Sequence, residues 1–95
     1  MYAVAFDLEI AKLKEHYGAS YTNAYYEVEK QMSAEDFEWI QGSVYIYKGN
    51  DGIGKVFDVM NRLKSIDWFR KSVRDIRAFK VEDWSDFTDR IKKEN

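Results

Sequence analysis

The chain opens on a strict alternation. In YAVAFDLEI, residues 2–10, Tyr2, Val4, Phe6, Leu8 and Ile10 share one parity, and Ala3, Ala5, Asp7 and Glu9 share the other. Successive side chains of a strand point to opposite faces, so this stretch predicts a β-strand with one bulky face and one small, acid-ended face. Residues 11–20 form a polar connection, partly helical, that contains Gly18. A helical period then takes over. Tyr21, Ala24 or Tyr25, Val28 and Met32 line one side of a helix capped by Ser20 or Thr22 and ending near Ala34. FEWI, residues 37–40, and SVYIY, residues 43–47, are short strands around Gln41-Gly42, in a hairpin or bulged bend. KGNDG, residues 48–52, is turn chemistry. Ile53, Val56, Phe57, Met60 and Leu63 predict a second helix, with Ile66, Trp68 and Phe69 as an apolar cap. SVRDIRAFKV, residues 72–81, is the last strand. Its alternation is broken: Val73, Phe79 and Val81 share a parity with Asp75 and Arg77, while Ile76 and Ala78 share one with Arg74. A bulge, or burial of both faces, is the expected cause. WSDFTDRIKKEN closes the chain as a short capped helix with Phe87 and Ile91 on one side.

The resulting order, βαββαβ with a helical tail, is the split-βαβ pattern of a ferredoxin-like α+β fold. With 95 residues, the chain is one domain with one modest core. Two helices cover one sheet face and leave the other open. An uncovered sheet face rich in Tyr and small residues is most simply hidden by a second copy, so a homodimer through the open face is expected.

Composition narrows the function classes. There is no Cys, which excludes disulfides and thiolate metal sites and fits a reducing cytoplasm. No stretch resembles a signal peptide or reaches membrane-spanning length, so a cytoplasmic protein without a membrane partner is expected. The net charge of −2 does not announce a nucleic-acid binder. Its distribution is more informative: residues 69–80 hold five basic side chains against one acid, a local basic patch.

Asp7 is the conspicuous residue, because aspartate is a poor strand former and an ionised carboxylate resists burial without a partner. By parity it faces the open side, where Ala3 and Ala5 allow another backbone to come close. Across a two-fold axis, Asp7 and its mate would repel unless they share a proton or bind a cation. Magnesium, which takes one or two carboxylates and keeps several waters, is the cation that suits phosphate chemistry. The plainer alternative is a salt bridge from Asp7 to Arg74 or Arg77 that pins neighbouring strands. Those two arginines differ in parity, so a regular strand separates them and a bulge unites them. Near a carboxylate they suit bidentate phosphate contacts; otherwise they make a solvated edge. Ser43, Tyr45 and Tyr47 are expected on the face of Asp7, as dimer-packing residues or as base-stacking rings. His16, the only histidine, lies in the polar connection, more readily exposed than a general base. KGNDGIGK lacks the Lys-Ser or Lys-Thr of a phosphate loop.

MYAVAFDLE, QGSVY at 41–45, FDVMNRLKSIDWF and SVRDIRAFKVEDWSDFTD at 72–89 resemble the virulence-associated protein D (VapD) family almost end to end. That family is similar to the small CRISPR-associated ferredoxin-like ribonucleases. The resemblance implies a homodimeric endoribonuclease that hydrolyses phosphodiester bonds of single-stranded RNA, mRNA included, and that serves as the toxin of a bacterial toxin–antitoxin pair, with an antitoxin protein as partner. It implies a catalytic role for Asp7, with Ser43 and Tyr45 beside it, and RNA or phosphate contacts from Gln41, Arg74 and Arg77, with Asp75 nearby. Asp7 would also hold any Mg2+. A metal-free reaction is the other chemical route, in which the RNA 2′-hydroxyl attacks and Asp7, His16 or Tyr45 moves the proton. The alternative function is a dimeric scaffold that binds nucleic acid or protein without cutting, since fold alone does not separate the two.

Overall fold

The computed structural model describes residues 1–50 and 52–94. Asp51, inside the predicted turn, lies outside the described residues. The elements run β1 (Tyr2–Leu8), α1 (Ile10–His16), α2 (Asn23–Ala34), β2 (Glu38–Gln41), β3 (Val44–Tyr47), α3 (Gly52–Lys64), α4 (Asp67–Ser72), β4 (Val73–Lys80) and α5 (Thr88–Lys92). The four strands form one antiparallel sheet in the order β2-β3-β1-β4. This is the predicted α+β arrangement. The polar connection after β1 contains α1, the apolar cap at 66–69 contributes to α4, and both extend the helical layer.

The bulky parity of β1 builds the core. Val4, Phe6 and Leu8 pack with Leu13 of α1, Ala24, Val28 and Met32 of α2, Val56, Val59 and Leu63 of α3, and Phe69 of α4. The α2 stripe matches its apolar period. In α3 the buried line runs Gly52, Val56, Val59 and Leu63, one position round from the predicted stripe. Ile53 and Phe57 therefore stay 51 % and 65 % exposed. Gly52 begins this line against β1: a Cβ there would run into the Tyr2 ring.

The opposite sheet face is not uniformly open. Val81 N–H donates to the Met1 carbonyl at 2.8 Å, which carries the chain past β4 and turns the tail toward the sheet. Trp84 then lies beside Ile40, Val44 and Phe79 over Ala3 and Ile46, and Lys48 Nζ stands 5.2 Å from the centre of its ring. Ala3 and Ile46 are consequently buried although they face away from the helices. The opposite end of this face, from Ala5 to Asp7, carries no such cover.

Candidate active site

β1 turns Asp7 to the uncovered side because Phe6 and Leu8 on either side of it are committed to the core. Its carboxylate is 61 % exposed. β4 supplies the neighbours. Asp75 is the ladder partner of Asp7, and Arg77 is the partner of Ala5. Between Asp7 and Leu8 the register slips, so that Leu8 pairs with Val73 and Arg74 becomes the extra residue of a bulge. A bulge re-aims a side chain, and here it overrides the parity that would have separated the two arginines. Arg74 Nη1 comes within 3.5 Å of Asp7 Oδ2. Arg77 Nε donates to both carboxylate oxygens of Asp75 at 3.1 Å.

Two carboxylates thus stand side by side with an arginine on each. Like charges directly opposite in a ladder are destabilising, and exposed ion pairs return only about 0–1 kcal/mol each. The cluster is poorly explained as a stabilising device. It borders a shallow depression of ≈ 230 Å³ lined by Ala5, Phe6, Asp7, Asp75, Arg77 and Phe79. Among the described residues no group of three or more His, Cys, Asp and Glu side chains could hold a metal ion. Asp7 and Asp75 are the two carboxylates of this cluster, and each is engaged by an arginine. The Asp7 charge is also felt on the helix side. Burial first, then Tyr21 and Asp7, hold the Tyr25 phenol above its ordinary range.

Tyr45 is not on the face of Asp7. It pairs with Val4, so it points into the helical layer, where it is 1 % exposed. Its ring lies between Phe6, at 6.1 Å and 14°, and Trp39, at 6.2 Å and 17°. Burial, and to a smaller extent the charge of Glu29, pushes its phenol up to about 12. Sealed between Phe6 and Trp39, its ring has no face open to a base. Tyr47 shares that parity, pairs with Tyr2 and packs at 5.5 Å on Phe37. Ser43 is half-buried; its carbonyl accepts from Phe6 N–H at 3.1 Å, which gives it the covered-face parity too. The expectation failed because alternation gives parity within one strand but not which parity of the next strand matches it.

Gln41 ends β2 opposite Val44, exposed and beside the tail hollow lined by Trp84 and Phe87, with β3 and β1 between it and β4. His16 belongs to the last turn of α1, not a loop, and its nearest acid is Glu15 at 3.9 Å. A residue absent from the sequence-based candidates is Trp39. It covers the outer side of Tyr45 and remains 41 % exposed, and its Nε1–H donates to the Gly42 carbonyl at 2.6 Å. Within FEWI it reads as one more strand residue; only the QGS turn that follows hints that its indole has a carbonyl to reach.

The family model described as CRISPR associated protein Cas2 matches residues 1–89. The chain is 59 % identical over 92 residues to "Endoribonuclease VapD" of Dichelobacter nodosus, covering 97 % of this chain and 98 % of the relative. It is 52 % identical over 93 residues to "Endoribonuclease VapD" of Helicobacter pylori, covering 97 % and 99 %. To the "Endoribonuclease VapD homolog" of Neisseria gonorrhoeae it is 40 % identical over 92 residues, again covering 97 % and 99 %. With similarity of this degree running the length of each chain, the protein belongs to the Cas2-like VapD family.

Proposed function

We propose that this protein is an endoribonuclease that hydrolyses phosphodiester bonds of single-stranded RNA at the Asp7 end of its sheet. The observation that carries the siting is the exposed cluster of Asp7, Asp75, Arg74 and Arg77 at the end of β1 and β4, on the sheet face away from the helices. A scissile phosphate competes with the carboxylates for the two arginines. Their guanidinium forks then hold its oxygens and stabilise the charge that develops on them. Asp7, released from Arg74, accepts the proton of the attacking hydroxyl or water as its oxygen bonds to phosphorus; the P–O bond to the neighbouring nucleotide breaks, and the leaving oxygen takes a proton from solvent. Asp7 and Asp75 are the residues that would hold Mg2+, which when bound lends positive charge to the phosphate. Gln41, exposed at the end of β2, contributes a polar contact to the RNA backbone.

The active form is a homodimer through the sheet face away from the helices. Phe79, Phe87 and Ile91, exposed at 49 %, 62 % and 81 %, supply apolar surface for it. A second copy there brings a second Asp7 toward the first. The VapD relationship supports a cytoplasmic toxin acting on mRNA with an antitoxin protein as partner; among the described residues no helix is long and apolar enough to cross a membrane.

The test is cleavage of an end-labelled single-stranded RNA by wild type and by Asp7→Asn, with magnesium and with excess chelator. The substitution is expected to lower the rate about 10²–10⁴-fold with unchanged melting. Equal cutting by a folded Asp7→Asn dimer would remove Asp7 from catalysis. Cutting that persists in chelator assigns the proton transfer to the metal-free route. A wild type that binds RNA and never cuts it is a scaffold, and one that sediments only as a monomer at micromolar concentration is not the proposed dimer.

A further inference from the structure

We propose that the outer face of Trp39 is a nucleobase-stacking platform that positions single-stranded RNA on its way to the Asp7 site. The proposal rests on the endoribonuclease reading for the identity of its ligand. Its own basis is geometric. Phe6, Tyr45 and Trp39 form a ladder of nearly parallel rings from the core to the β2 edge of the sheet. Phe6 and Tyr45 are buried, so Trp39 is the only ring of the three with an accessible face. Offset stacking on a fixed neighbour and the bond from Nε1 to the Gly42 carbonyl hold the indole at one angle. A ring ordered before the ligand arrives loses little freedom on binding.

Location supplies the second part. Phe6 and Ser43 are joined across the β1–β3 ladder, so the next step sets the Gly42 turn across from the Asp7 end of β1. Trp39 lies on the helix-side face and Asp7 on the other, so the Gly42 turn, which the indole reaches, is the corner round which a bound strand would pass from one to the other. β2 is an edge strand, so no further strand flanks Trp39 on its outer side. The platform also belongs to the helix-side parity, since Trp39 pairs with Tyr45. A partner copy docked on the opposite sheet face would leave it uncovered. Aromatic faces stack on any base, so Trp39 adds affinity and placement with little sequence preference.

Two measurements test this. In the first, Trp39→Leu and Trp39→Phe are compared with wild type for cleavage and for binding of a short labelled RNA in an Asp7→Asn background. Trp39→Leu is expected to weaken binding and raise KM about ten-fold, with kcat within about two-fold, and Trp39→Phe to recover most of the loss, as for removal of one base–aromatic stack. In the second, which needs no substitution at Trp39, RNA carrying 5-bromouridine is irradiated on the wild type and the labelled peptide is identified; attachment at Trp39 is expected. Unchanged binding and KM in a folded Trp39→Leu, or labelling only at other residues, overturns the platform. Wild type that binds and crosslinks at Trp39 without cutting keeps the platform and defeats the nuclease reading. Wild type that neither binds nor cuts RNA defeats both.

Discussion

The two faces of β1 carry opposite designs within seven residues. On one, Val4, Phe6 and Leu8 are dry and locked among helices. On the other, Asp7 meets Asp75, Arg74 and Arg77 in water, through contacts that stabilise the fold little. The packing on the first face fixes the strand on which the charges of the second stand. The packed core and the proposed site are thus separated by the thickness of one strand, and substitutions on the two sides should fail in different ways.

The largest expected effect is on the dry side. Phe6→Ala removes a ring that touches both Tyr45 and Phe69 and should cost about 3–5 kcal/mol in urea unfolding. Loss of well under 1 kcal/mol would mean that the face is not a packed core. Next comes Arg77→Ala, which should leave the urea midpoint nearly unchanged while lowering RNA cleavage roughly 100-fold, the scale for losing one donor to developing charge. A large stability loss with normal cleavage would invert the comparison.

A smaller effect separates Tyr45 from the exposed tyrosines. Its phenol is raised from 10.0 to about 12 by burial, so the neutral form is favoured in the folded state. The stability this confers is complete below pH 10, where an unfolded tyrosine is still protonated, and is lost as pH rises toward 12. Absorbance of tyrosinate should show a late-ionising phenol that Tyr45→Phe abolishes, along with part of the alkaline destabilisation. The smallest effect belongs to the wet side: Asp7→Ala should shift stability by no more than about 1 kcal/mol, because the Arg74 pair it breaks is exposed. A much larger loss in thermal melting would make Asp7 a structural residue.

Much of this was legible in the residues. The alternation of β1 placed Asp7 away from the helices, and the broken alternation of β4 announced the bulge that brings Arg74 to it. Tyr45 and Trp39 were less accessible. Their parities are clear within each strand, yet the register across Gly42, with its slip between Trp39 and Gln41, decides which parity is buried. Trp84 is similar: its tail reads as a short helix, but nothing in it says that the indole covers Ala3 and Ile46.

The sequence by itself determined the run of four strands with the two longer helices between them, the apolar faces of β1 and α2, and the presence of one exposed acid on the first strand, because periodicity is a local property of the chain. Tertiary structure decided that Asp75 stands beside that acid, that an arginine attends each carboxylate, and that Tyr45 is sealed while Trp39 is not. Those outcomes depend on the pairing register between strands distant in the chain, and a register shift of one residue exchanges the faces of every side chain it carries.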